Sequence, residues 1–135
     1  MDITQDITQP INYKSYWKFG KKKMNIHKMD KLTVLKCCLH CFKKMYNLNK
    51  QDAWADLKLR IVTSNKELAF WRIKKEKSSN SLLLFADKLE ELETRAEVLG
   101  FEIPESYEEL KDLLNQERQY VKSKIEQKQQ QAVAL

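Results

Sequence analysis

Glycine and proline are nearly absent from this chain of 135 residues, which holds only Gly20, Gly100, Pro10 and Pro104. Phosphate-cradling loops of the G-x-x-x-x-G-K or G-x-G-x-x-G kind need closely spaced glycines, so nucleotide chemistry built on them is excluded. Scarce turn residues also imply few and long elements, which favours helices over many short strands. Long apolar runs are missing too: the longest, Leu82 to Ala86, falls far short of the ~20 residues that span a bilayer, so no membrane partner is expected. Met1 to Pro10 is acidic and polar where a secretion signal would have a basic stretch followed by an apolar one. Histidine is limited to His27 and His40, so the usual general bases are scarce. Three cysteines, all between Cys37 and Cys41, make an odd number in one short window, which does not fit a disulfide framework and suits a reducing compartment. A cytoplasmic protein is expected.

Charge is plentiful and unevenly spread. Residues 1–80 carry 18 Lys and Arg against 7 Asp and Glu, whereas residues 81–135 carry 7 against 12. The first part is built to meet a polyanion, and the second reads as a solvated helical module. With 42% hydrophobic and 33% charged residues, the chain has the composition of one globular domain with one core.

Along the chain, Asp2-Ile3-Thr4-Gln5 repeats as Asp6-Ile7-Thr8-Gln9. Two copies of four residues specify no repeat fold, so residues 1–12 are expected to be a mobile leader. Residues 13–29 form a basic aromatic arm, with Tyr13, Tyr16, Trp17 and Phe19 interleaved among lysines. Asp30 caps a helix whose Leu32, Leu35, Leu39, Phe42 and Tyr46 share one side, with a stop expected near Asn47. Asp52 is placed to cap a second helix with Trp54, Leu57, Ile61, Leu68 and Trp71 on its inner face and Ser64 as a weak point. Alternation at Leu57, Leu59 and Ile61 leaves a β-hairpin over residues 56–74 as the other reading. Ser78-Ser79-Asn80-Ser81 marks a break. Leu82, Phe85, Leu89, Leu92, Ala96 and Leu99 then follow a heptad spacing ended by Gly100, with Phe101 folding back. Ser106 and Glu109 form a capping box ahead of Tyr107, Leu110, Leu114, Val121 and Ile125. The short link between these two stripes predicts an antiparallel hairpin over 81–129, fraying at Gln127 to Gln131. The expected fold is all-α: a small three- or four-helix bundle over 30–135 with this C-terminal hairpin, preceded by the basic, partly flexible arm.

Cys37, Cys38, His40 and Cys41 invite a zinc reading, but on a helix Cys37 and Cys41 share a face from which Cys38 and His40 diverge, and a tetrahedral site needs four convergent ligands. Core packing is the better expectation, and no metal or cofactor is assigned. Glu90, Glu91, Glu93 and Glu97, like Glu105, Glu108, Glu109 and Asp112, sit opposite apolar stripes as solvated faces. Asp52, Asp56 or Glu67 could supply a metal-dependent nuclease, but their spacing does not single one out, and the protein is expected not to be an enzyme.

The basic aromatic stretch is the strongest candidate site, because single-stranded nucleic acid needs cations along its phosphates and flat apolar faces for its bases. The expected binding residues are Lys14, Tyr16, Trp17, Lys18, Phe19, Lys21, Lys22, Lys23 and Lys28, extended by Lys43, Lys44, Arg72, Lys74, Lys75 and Lys77. The expected function is sequence-tolerant binding of RNA or single-stranded DNA by an accessory subunit of a larger ribonucleoprotein, mobile-element or CRISPR-type assembly. The alternative is a helical adaptor that binds other protein subunits, or itself as a homo-oligomer, through the faces carrying Leu92 and Leu114.

Overall fold

Asp30 starts the first helix by the local mechanism its chemistry suggests: its carboxylate accepts from the Thr33 backbone N–H at 2.8 Å, satisfying one of the otherwise orphaned amides of the first turn. The computed structural model describes residues 15–134, and among them three helices account for most of the chain. These are α1 (Lys31–Ile61), α2 (Asn65–Leu99) and α3 (Tyr107–Ala134). The mostly helical class agrees with the all-α expectation. The leader at 1–12, together with Tyr13 and Lys14, lies outside the described residues.

The basic segment carries one departure from all-α. β1 (Tyr16–Phe19) and β2 (Lys22–Asn25) pair antiparallel, with Trp17 opposite Met24, Lys18 opposite Lys23 and Phe19 opposite Lys22. Gly20, at φ 58, supplies the left-handed first position of the two-residue turn, and Lys21 follows without a positive φ, as a type II′ turn requires. A 3-10 turn, Ile26–Lys28, follows directly and is capped by the Asn25 side chain accepting from the His27 N–H at 2.9 Å.

α1 does not stop at Asn47. It continues to Ile61, and the chain breaks instead at Val62–Ser64, where Ser64 becomes the N-cap of α2. Residues 56–74 therefore contain no strand, and the weak point at Ser64 is the actual boundary. α2 in turn runs through Ser78–Ser81. The reason is tertiary: the Asp52 carboxylate accepts from the hydroxyls of Ser78 at 3.0 Å and Ser79 at 3.1 Å. Hydroxyls that would otherwise compete for the helix backbone are taken up by a partner on α1. Asp52 is thus an interhelical clamp and not a cap.

α1 and α2 form a long antiparallel pair: Asp52 meets Ser78, while Met29, just before α1, accepts at its carbonyl from Arg95 Nε at 2.9 Å. At 1.5 Å per residue α1 is about 46 Å long and α2 about 52 Å. α2 ends in a Schellman motif, with Gly100 left-handed at φ 88, its N–H donating to Glu97 and the Phe101 N–H donating to Ala96.

The link from Gly100 to Ser106 does not make the expected antiparallel hairpin. Phe101 lies under the Lys31 ammonium, Ile103 and Tyr107 share a groove with Phe42 and Tyr46, and Lys31 Nζ pairs with Glu117 at 3.7 Å. α3 therefore starts well along α1, runs back toward its beginning, and points the same way as α2. Seven extended residues reach about 23 Å, enough to make this return. α3 starts with the Ser106 hydroxyl accepting from the Glu109 N–H at 3.1 Å, as the capping box implies. It stays helical through Gln127–Gln131.

The core lies where all the elements converge: Trp17, Ile26, Met29, Val34, Leu35, the three cysteines, Leu92, Ala96, Leu110 and Leu114. α1 has neighbours on several sides, so its buried arc is wide enough to take in Cys38 as well as Cys37 and Cys41. Away from this body, residues 46–84 form a two-helix arm, and Trp54, Leu57 and Ile61, expected on an inner face, are exposed there. Beyond Glu117, every side chain described on α3 is exposed except half-buried Val121.

Candidate nucleic-acid interface

The β-hairpin and the 3-10 turn that follows it are pinned to α2 by polar contacts. His27 Nε2 meets Glu91 at 2.9 Å, and Lys88 Nζ donates to the Tyr16 carbonyl. Burial lowers the pKa of the Lys88 ammonium, and the nearby carboxylate of Glu91 opposes this less strongly. The pinning holds the hairpin's apolar face against α1 and leaves a cavity of about 680 Å³ at the junction.

Four rings run through this junction in sequence. Phe19 and Trp17 centroids are 6.5 Å apart, Trp17 meets His40 edge-on at 5.7 Å, and His40 meets Phe85 at 6.1 Å. All four line the cavity, as do Lys18, Lys23, Lys36 and Lys88, and among the described residues no Asp or Glu does. His40 is held below the usual imidazole range, first by burial and then by Lys44 and Lys43, so it is neutral at pH 7. The arrangement offers flat apolar faces beside ammonium groups, chemistry suited to a planar ring that carries a negative charge.

The expected site residues divide clearly. Tyr16, Trp17, Lys18, Phe19 and Lys23 come together at the cavity. Trp17 is only 9% exposed, so it is not the free stacking platform its sequence context suggests; it packs into the core and shows one edge. Phe19, at 43%, remains open. Lys21 and Lys22 sit at the exposed hairpin turn, and Lys28 is exposed at the end of the 3-10 turn. Lys74 and Lys77 lie on α2 at helical spacing from Leu84 and Lys88, prolonging the cavity's edge along the arm, whereas Arg72 projects from another face. Lys43 and Lys44 are exposed on α1, and Lys43 borders a different groove. Lys75 is withdrawn from any such surface, because its ammonium pairs with Asp56 at 2.8 Å and Asp52 at 3.3 Å.

Leu92 and Leu114, expected to face a partner, are fully buried in the molecule's own core. The heptad pattern that marks them is satisfied internally, chiefly because α3 packs on α1. Lys36, His40, Leu84, Phe85 and Lys88 join the cavity although none is among the expected binding residues, His40 being read with the cysteines and Phe85 in the heptad stripe. Their one local signal is the spacing of four in Lys36–His40 and Leu84–Lys88, which puts each pair on a single helical face.

A second groove of about 860 Å³ lies between α1 and the start of α3, lined by Phe42, Tyr46, Leu89, Ile103 and Tyr107 with Glu93 and Glu105 at its rim. Among the described residues there is no group of three or more His, Cys, Asp or Glu that could hold a metal ion, and no helix long and apolar enough to cross a membrane. No family model, curated protein or solved structure matches the chain.

Proposed function

We propose that this protein is a non-catalytic, sequence-tolerant binder of RNA or single-stranded DNA, acting as an accessory subunit of a larger assembly. The observation that carries this reading is the cavity at the hairpin junction, where Lys18 and Lys36 stand beside the chain of rings Phe19, Trp17, His40 and Phe85, and no Asp or Glu among the described residues lines the wall. Cations there neutralise phosphates, and Lys74 and Lys77 extend the path along α2.

Binding of a labelled oligonucleotide measured against salt tests the reading. The logarithm of the association constant falls with the logarithm of salt by about 0.7 for each phosphate neutralised on a single strand. Changing Lys18, Lys21 and Lys22 together to Ala is expected to flatten that slope by about 2. Binding that is insensitive to salt, or a slope the triple variant leaves unchanged, removes the hairpin from the interface.

One specific observation favours self-association as the second reading: Tyr46, Trp54, Leu57 and Ile61 recur at helical spacing on α1 and are all exposed.

A further inference from the structure

We infer that the cavity at the hairpin junction is a pocket for a single unstacked nucleobase, so that the protein selects single strands over duplexes. This rests on the nucleic-acid reading and deepens it from affinity for phosphates to capture of a base.

Size and shape support it. A volume of about 680 Å³ is within the ~300–1,000 Å³ of small-ligand pockets, and the lining includes Phe19 on the hairpin and Phe85 on α2. Trp17 and His40 join these two rings in an unbroken chain of ring contacts. A base entering between the hairpin and α2 therefore finds aromatic side chains on β1, α1 and α2. Lys18 and Lys36 stand at the same cavity from different elements, where the phosphates flanking an inserted base would lie. Neutral His40 adds one hydrogen-bond donor and one acceptor for a base edge. Bases paired inside a duplex offer no such face, and extruding one requires unpairing and unstacking.

The pocket gives the open ring a use. Phe19 touches the Trp17 ring on the same face of β1, yet it is 43% exposed where Trp17 is buried, so much of its surface stays available at the cavity. Its use is to close the wall over a base.

The test uses the full chain and a labelled oligothymidylate of about twelve nucleotides, a length within the ~4–16 nucleotide range of single-strand sites. An abasic oligomer of the same length and charge, and the matching duplex, are the controls. Stacking predicts that the single strand binds about 5- to 140-fold more tightly than the abasic oligomer (~1–3 kcal/mol at 1.4 kcal/mol per factor of ten). Phe19→Ala should abolish most of that difference and leave abasic binding unchanged. Phe85→Leu, which keeps apolar volume in the half-buried position, should reduce the difference with helicity retained by circular dichroism. Lys36→Ala should weaken both oligomers alike. Equal affinity of the wild type for the normal and abasic oligomers overturns the base pocket while leaving phosphate binding intact. Failure to bind any oligomer overturns both readings.

Discussion

At the residue scale, the three cysteines show how burial decides chemistry. Desolvation pushes Cys37 up to about 12, with Cys41 adding to the effect, and pushes Cys41 up to about 12 against the pull of Lys88. Cys38 is likewise raised, by burial first and then by Cys41, Cys37 and Glu93. Thiols in this state are packing groups, not nucleophiles or ligands. A sign follows for stability. Below the ordinary pKa of 9.0, folded and unfolded chains both keep these protons. Between 9 and about 12 the unfolded chain ionises while the folded chain does not, so stability falls as pH rises. Each thiol contributes a slope of up to about 1.4 kcal/mol per pH unit. Denaturant midpoints measured across this window should show Cys38→Ala less stable overall but with a shallower alkaline decline. An identical slope in the variant would mean that Cys38 is not shielded in the folded state. Residue chemistry that acts locally was legible in the sequence: Asp30, Ser106 and Gly100 do what their types and neighbours imply. The burial of Trp17 and the pairing of Lys75 were not legible, because both are placed by residues remote in sequence, His40 on α1 for one and Asp52 and Asp56 for the other.

At the element scale, Asp52 decides where the helices end. Burial alone would raise its carboxyl, but the hydroxyls of Ser78 and Ser79 and the Lys75 ammonium together hold it below 3.8. Its stabilising contribution is therefore complete above 3.8 and fades as pH falls through the lower folded value. Asp52→Ala leaves the nearly buried Ser78 hydroxyl only its bond to the Lys75 carbonyl, and the expected loss is about 1–3 kcal/mol. Hydrogen exchange locates the damage: amides of the arm between residues 46 and 84 should exchange faster, while those around Cys38 and Leu92 keep their protection. Uniform acceleration along all three helices would show that arm and body unfold as one unit. The same clamp explains why the serine cluster misleads. Ser78–Ser81 has the composition of a break, and only a partner 26 residues away makes it helix interior. The short link at Gly100–Ser106 misleads for a related reason, since length fixes how far it can reach and not which neighbour α3 chooses. The hairpin was not legible within the expected flexible arm, because four-residue strands carry too little periodicity to announce themselves.

At the scale of the whole molecule, one body supports two projections, the α1–α2 arm and the far half of α3. The arm's inner surface is closed by Ala55, Ser78 and half-buried Leu59, Leu68 and Trp71. Its two outer surfaces are apolar as well: Trp54, Leu57 and Ile61 on α1, with Ile61 59% exposed, and Phe70 and Ile73 on α2. Lys58 lies over the Trp54 ring at 4.9 Å and Lys74 over the Phe70 ring at 5.6 Å, which covers part of this area with aliphatic stem and keeps cations beside it. Like charge on two such arms opposes their approach, so self-association by this face should strengthen as salt screens the lysines. The proposed nucleic-acid binding should weaken under the same change, which separates the two readings in one titration. Light scattering at increasing protein and salt concentration is expected to show dimer formation in the wild type. Leu57→Glu with Ile61→Glu should hold the chain monomeric without loss of helicity, because both side chains point to water. An oligonucleotide affinity left within about twofold in that variant would assign the two outer edges of the molecule to separate tasks, with the hairpin junction meeting nucleic acid and α1 meeting a second copy. A wild type that stays monomeric at every salt concentration would withdraw the second task and leave the apolar edge to a different protein subunit.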